Sequence, residues 1–464
     1  SVATEVSSER PPLRCGSLER LREMETEVPE TSVATDGVHP GLKLVSDDVL
    51  GTVLVTTQSY RQGEPVLCEA PLVVVSSPWG LKEHLRTADA YVHDAVMAMC
   101  FSPVLGPKKK ELKRDAGSAL TLGAILASNG HAFNPPPGVK SECDLIALYH
   151  LGSKAQHSCA PNCAYRNVSG RLFYTALADI PAGSVVTFSY CLDWTELMMP
   201  TCMRRELIRE RRGFDCACER CELGEDALRR RRCHLCGEVA LGPAEPRLER
   251  AASLCRSCGA RGGAEGGEDE VLLARQAAKL RVSSGADAAV QLHARCMEQL
   301  GETHWATARC CCMLLLALAE QSAEAEADAA RARSLYSSFQ KFLRACELTE
   351  AVPNLHHILT IHLWQSGLLD VQVCRDILPL YQAIHGRNPT AVGIADALGK
   401  SMSPIQRLKC SDGYFAQLAL LLRSRMPGSS GMVFGGCATA FAIGLAVAVH
   451  ARRSAPAYSL PRLG

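Results

Sequence analysis

The chain has 464 residues, with 50 basic and 49 acidic side chains and 23 cysteines. That length is too great for one hydrophobic core, so two or three domains are expected. A net charge of +1 carries no polyelectrolyte signature and argues against direct nucleic-acid binding. No basic-then-apolar leader opens the sequence, so the cysteines read as metal ligands in a reducing compartment, cytoplasmic or nuclear, rather than as disulfides.

Residues 1–36 are rich in Ser, Glu, Thr and Pro without an apolar period, and disorder is expected there. Over 37–79, short β-branched runs alternate with glycine turns: Leu42–Val45, Gly51–Thr57, Gly63–Leu67 and Leu72–Val75, the pattern of a small all-β module. Residues 80–142 read as a helical insert and loop, with apolar runs at Ala95–Met99 and Ala119–Ala127 and a Pro-rich turn at Asn134–Gly138. The basic run Lys108–Arg114 reads as a solvated helix start or loop, with a nuclear-import signal as the alternative.

Residues 143–196 hold Gln156-His157-Ser158-Cys159-Ala160-Pro161-Asn162, then a Pro181-Ala182-Gly183 turn entering the strand run Val185–Tyr190. Residues 197–224 carry an Arg-rich stretch, Arg204–Arg212, then Phe214 and Cys216-Ala217-Cys218-Glu219-Arg220-Cys221. Three soft ligands so close together are one short of a closed tetrahedral zinc shell, and Cys159 is the obvious fourth. Such a metal would pin the 157–162 loop against the 216–221 loop and bring Tyr190 close to Phe214.

A second candidate zinc site, ribbon-like, lies in 225–258. There Cys233/Cys236 and Cys255/Cys258 form two Cys-x-x-Cys pairs 18 residues apart, with chance clustering as the alternative. Arg229–Arg232 reads as a solvated basic face, and 259–270, Gly- and Glu-rich, as a flexible linker. Residues 271–425 lose strand signals and read as an array of antiparallel helices, in which Cys310, Cys311 and Cys312 pack in the core. Gly431–Val449 is uncharged for 19 residues and is expected to be a transmembrane tail anchor, a buried core helix being the alternative. Arginines flank it on both sides, so charge selects no orientation.

The strings around His157, Tyr190 and Cys216, in this order and spacing, resemble SET-domain lysine methyltransferases. The likeness covers about residues 40–225 and is closest to the SET-and-MYND branch, whose zinc-binding MYND insert is absent here. The implied fold is α+β: a SET β-clip of short sheets with a helical insert, a Cys-rich zinc-binding post-SET segment, and an all-α tetratricopeptide-like C-terminal lobe. That lobe is suggested by the echo at Leu300–Trp305. The implied activity is S-adenosylmethionine-dependent methylation of a lysine on a protein substrate, with Tyr190 as the catalytic residue. Gly51, Asn129, Gln156, His157 and Phe214 are the implied cofactor contacts, Phe214 stacking on the adenine.

Three positions depart from the family pattern: Val53 for a glycine, Gln156 for an asparagine, and Arg212 where near relatives have a channel tyrosine. They support the alternative of an inactive SET-derived, zinc-stabilised scaffold that holds a partner protein on its helical lobe. A nucleic-acid binder built on 225–258 has little compositional support. Closed Cys-rich shells leave no open position for a zinc hydrolase.

Overall fold

The computed structural model describes residues 40–48, 51–99, 119–135, 144–168, 170–191, 194–233, 235–243, 254–260, 264–280, 286–320, 326–348, 353–386 and 388–399. The β-branched runs form the expected strands β1 (Leu42–Asp47), β2 (Gly51–Thr56), β3 (Pro65–Glu69) and β4 (Val73–Val75). β1 and β2 pair antiparallel, and Gly51, with φ of 77°, supplies the left-handed backbone where β2 begins.

The insert is helical at α1 (Pro78–Thr87), α2 (Ala90–Met97) and α3 (Ala119–Asn129). Ser77 and Asp89 accept from backbone N–H groups in the first turns of α1 and α2, which sets where those helices start. The insert packs Leu81, Val96, Leu122 and Ile125 against β4 and β6 (Ile146–Leu148).

The remaining strands are β5 (His131–Ala132), β7 (Gln156–His157), β8 (Cys163–Val168), β9 (Arg171–Ala176) and β10 (Thr187–Phe188). Sequence-distant partners meet in small sheets ordered β3-β9-β8 and β4-β6-β5. β7 runs parallel to β10, with Gln156 opposite Thr187 and His157 opposite Phe188. That short parallel pair brings the two motif strings together. Asn162 locks the crossing: its side-chain amide donates to the Val185 carbonyl (2.8 Å) and its Oδ1 accepts from Thr187 N–H (2.8 Å). Leu54, Tyr60, Val66, Tyr149, Leu172, Tyr174, Ile180 and Phe188 fill the core beneath.

Residues 197–224 contain α4 (Thr201–Arg212), ended by Gly213 in the left-handed region, and the single turn α5 (Glu219–Glu222). β11 (Glu225–Arg232), β12 (Val239–Pro243) and β13 (Leu254–Cys255) form the antiparallel sheet of the ribbon segment. Arg229 on β11 is fully buried, which corrects the expected solvated face. Its guanidinium makes a bidentate pair with Glu270 (2.7 and 3.0 Å). Glu270 lies in α6 (Ala264–Lys279), so most of the stretch expected to be a linker is helix.

The helical lobe continues with α7 (Ala286–Gln299), α8 (Trp305–Glu320), α9 (Glu326–Ala345), α10 (Pro353–Gln365), α11 (Leu378–His385) and α12 (Pro389–Gly399). α8 is the axis of the lobe. It is buried almost all round, Cys310, Cys311 and Cys312 included, and so shows no amphipathic stripe. Its core is continuous with Cys159, Cys216, Cys221, Leu197 and Met198, so these cysteines and the lobe share one apolar interior.

The transmembrane expectation is corrected: among the described residues no helix is long and apolar enough to cross a membrane. Gly431–Val449, which carried that expectation, and the basic run Lys108–Arg114 lie outside the described residues.

Candidate functional site

The Sγ atoms of Cys159, Cys216, Cys218 and Cys221 all lie within 4.8 Å of one another. Zinc–thiolate bonds of about 2.3 Å in a tetrahedron place sulfurs about 3.8 Å apart, so the four fit a closed zinc shell. Cys159 N–H donates to Cys218 Sγ (3.4 Å), and Cys221 Sγ stands 3.6 Å from Cys159 Sγ. Hydrogen bonds from the other three cysteines pull Cys218 far below the ordinary thiol range.

Two arginines, Arg204 buried and Arg220 partly buried, complete the electrostatics, and the sequence alone does not show it. Arg204 reaches Cys221 Sγ at 3.6 Å and donates to Met199 O and Thr201 Oγ1. Arg220 donates to the carbonyls of Cys159 and Leu197, each at 2.8 Å. Zinc with four thiolates carries a net charge of about −2, which these two cations match. Asp226 acts electrostatically on both arginines.

The second cluster, Cys233, Cys236, Cys255 and Cys258, meets the same distance criterion but is half exposed. Cys233 Sγ lies 3.6 Å from Cys258 Sγ, and Cys236 Sγ lies 3.5 Å from Cys255 Sγ. Both ligand sets named from the sequence are thus assembled.

Beside the first cluster stand His157, Tyr190 and Phe214. Ring centroids are 5.3 Å apart for His157–Tyr190, 6.2 Å for His157–Phe214, and 6.4 Å for the nearly perpendicular Tyr190–Phe214 pair. The Tyr190 hydroxyl donates to Ala155 O at 2.8 Å. The loop carrying Ala155 is held from below by Glu69, whose carboxylate accepts from Leu151 N–H (2.9 Å) and Gly152 N–H (2.8 Å). Burial pushes the Glu69 carboxyl up to about 7 despite those bonds.

Both nitrogens of His157 face protein. Nδ1 accepts from Tyr190 N–H at 3.0 Å, and Nε2 lies 3.4 Å from Cys159 Sγ. Burial, with Arg212 and Arg204 adding to it, holds the imidazole near 4, neutral at physiological pH. Gln156 Nε2 donates to Lys154 O (3.2 Å).

Arg212 lies with its guanidinium carbon 5.3 Å from the Tyr190 ring centroid and donates to Ala127 O (3.2 Å). That bond puts the C-terminal end of α3, and with it Asn129, at the margin of the site; the Asn129 amide donates to Ile125 O. Gly51 begins β2, the strand whose Leu54 carbonyl accepts from Val186 N–H, just before β10. Val53 is buried.

A second aromatic group extends inward from Tyr190. Phe188 is 4.9 Å from Tyr190, and His131 packs against Tyr149, Tyr165 and Phe188 at 5.6–5.9 Å. Burial, aided by Arg212, lowers His131 to about 4. In the sequence His131 is a lone histidine and carries no signal of this packing.

The SET domain family matches residues 51–191, the span that contains this geometry. The likeness to the SET family therefore lies in this span of the chain. Three curated relatives share parts of it. One is a mimivirus protein named for its SET domain (Acanthamoeba polyphaga mimivirus), 32% identical over 109 residues, 24% of this chain and 37% of the relative. Another is the protein-lysine N-trimethyltransferase SMYD5 of Gallus gallus, 36% identical over 81 residues, 17% of this chain and 19% of the relative. The third is the histone-lysine N-methyltransferase SMYD3 of Mus musculus, 32% identical over 77 residues, 17% of each chain. The chain thus matches well under half the length of each of these relatives. The likeness to the SET-and-MYND branch agrees with the motifs.

Proposed function

We propose that the chain is an S-adenosylmethionine-dependent protein-lysine N-methyltransferase. The observation that carries this reading is the grouping of Tyr190 with the His157 ring and the partly exposed Phe214, beside a four-cysteine cluster. The methyltransferase names of two relatives support it. Phe214 is 39% exposed although large and aromatic, which suits a platform for a planar base. When bound, the cofactor supplies an electrophilic methyl group on a sulfonium centre.

The chain's own residues do the rest. Tyr190 donates its hydroxyl proton to Ala155 O, which fixes the orientation of the phenol toward an incoming amine. Phe188 and His157 enclose the Tyr190 ring and exclude water from that side. The positive charge of Arg212 over the same ring disfavours an ammonium ion and so favours the neutral, nucleophilic amine.

The test is transfer of labelled methyl from S-adenosylmethionine to core histones and a panel of lysine peptides. The expected result is transfer that Tyr190→Phe lowers at least a hundredfold while the far-ultraviolet spectrum stays unchanged. No transfer to any acceptor would count against the reading. A second reading, a SET-derived scaffold without catalysis, is favoured by Arg212, which stands where an alkylammonium would meet the Tyr190 face. Stable capture of a partner by a protein that binds no cofactor would support it.

A further inference from the structure

We infer that His157 is a positioning residue through which the four-cysteine cluster fixes Tyr190. The backbone pairing of β7 with β10 stops short of that tyrosine: its last bond runs from Ser158 N–H to Phe188 O at 3.1 Å. The next donor along the strand is Tyr190 N–H. It donates to Nδ1 of the His157 ring, at 3.0 Å. The other ring nitrogen, Nε2, faces Cys159 Sγ at 3.4 Å.

A neutral imidazole has one N–H and one lone pair. Because Nδ1 is the acceptor, the proton sits on Nε2 and points at the Cys159 sulfur. A thiolate, above all one bound to a metal, is the better acceptor for that N–H, so metal loading strengthens the bond that orients the ring. The ring in turn sets where the Tyr190 backbone lies. The cysteine cluster therefore does more than hold the chain together: its occupancy is read out at the candidate catalytic tyrosine through one side chain. The same geometry narrows the role first expected for His157, because both ring nitrogens are committed within the protein. The relevance of the link to methyl transfer rests on the reading of Tyr190 given above; the link itself does not.

The test uses the zinc-loaded full chain. Long-range proton–nitrogen correlation spectra of protein labelled with nitrogen-15 histidine report the tautomer of His157, assigned by comparison with His157→Asn. The expected signature is an Nε2–H neutral ring that is lost when the metal is chelated. A second readout is zinc release to the chromophoric chelator 4-(2-pyridylazo)resorcinol, in a Cys236→Ser background so that only this cluster is followed.

His157→Asn keeps an acceptor at the Nδ1 position but cannot reach Cys159, and zinc leaves about 10–100-fold faster. His157→Gln restores a donor toward Cys159 and brings release back to within a few-fold of wild type. An Nδ1–H tautomer in the loaded wild type, or His157→Asn releasing zinc at the wild-type rate, overturns the proposal. If neither variant folds, the histidine signals that chelation changes in wild type decide it: an Nε2–H neutral ring lost on chelation supports the link, and no such loss overturns it. Absence of methyl transfer would leave both readouts standing, so failure of the enzyme reading and failure of this link are told apart.

Discussion

Loss of one ligand at each cysteine cluster should have very different costs, and the difference comes from buried charge. Cys221 is fully buried, and its sulfur accepts from Arg204, itself without exposed surface. Cys236 is exposed and faces solvent. Cys221→Ser and Cys236→Ser each reduce a four-thiolate shell to three ligands, so the loss of coordination is common to both. Only Cys221→Ser also leaves Arg204 and Arg220 short of a compensating negative charge in the interior. Breaking a buried ion pair in that way costs about 3–5 kcal/mol.

Against a total stability of about 5–15 kcal/mol, that is enough to lower the melting temperature of the main transition by about 5–10 °C, taking the low end of the range for a long chain. Cys236→Ser should release the ribbon locally and leave the main transition within about 2 °C. Thermal unfolding followed by circular dichroism at 222 nm, with zinc content measured on the same samples, makes the comparison. Equal shifts in the two variants would refute the argument that Arg204 and Arg220 are there to balance the cluster.

Glu270→Gln removes the carboxylate that Arg229 grips in a site almost free of solvent, and should cost about 3–5 kcal/mol in urea unfolding. The contribution of His131 to stability should be lost as pH drops from 6.5 toward 4, because the residue, held near 4 by burial and Arg212, is neutral in the fold but protonates when unfolded; Glu69, raised from 4.5 to about 7, offsets that loss over nearly the same window. The gap between 6.5 and about 4 amounts to on the order of 3 kcal/mol for this one residue, with Glu69 acting in the opposite sense. Arg212→Met should raise the His131 pKa, a shift measurable by NMR titration. Gly152→Ala would drive its new methyl group into the side chain of Leu172 and against Tyr149, and should cost about 1–3 kcal/mol by calorimetry.

What could be read in the sequence was mostly local or counted. The β-branched runs between glycines announced β1 to β4, and the arithmetic of three clustered cysteines pointed to Cys159 as the fourth, where the structure places it. What could not be read depends on charges meeting across the fold. Arg204 and Arg229 sit in basic stretches that look solvated, yet they are buried against sulfur and a carboxylate, and Arg220, between Glu219 and Glu222, is partly buried against carbonyls. The stretch before Val271 is Gly- and Glu-rich and reads as a linker, but Glu270 is tied to Arg229, 41 residues away, and the stretch is helical from Ala264. α8 has no polar face to set a period because it is wrapped on all sides. Arg212 could be placed opposite a tyrosine of the family pattern, but that its cation lies over Tyr190 needed coordinates.

The central claim is that the Tyr190–Phe214 site takes S-adenosylmethionine. Isothermal titration calorimetry on the zinc-loaded full chain, wild type against Phe214→Ala, tests it directly, because Phe214 is exposed enough to lose its ring without disturbing the core. Saturable one-to-one binding, weakened about tenfold or more when the stacking platform is removed, is the expected result. No binding heat from a folded, zinc-loaded protein, or affinity indifferent to Phe214, would contradict it.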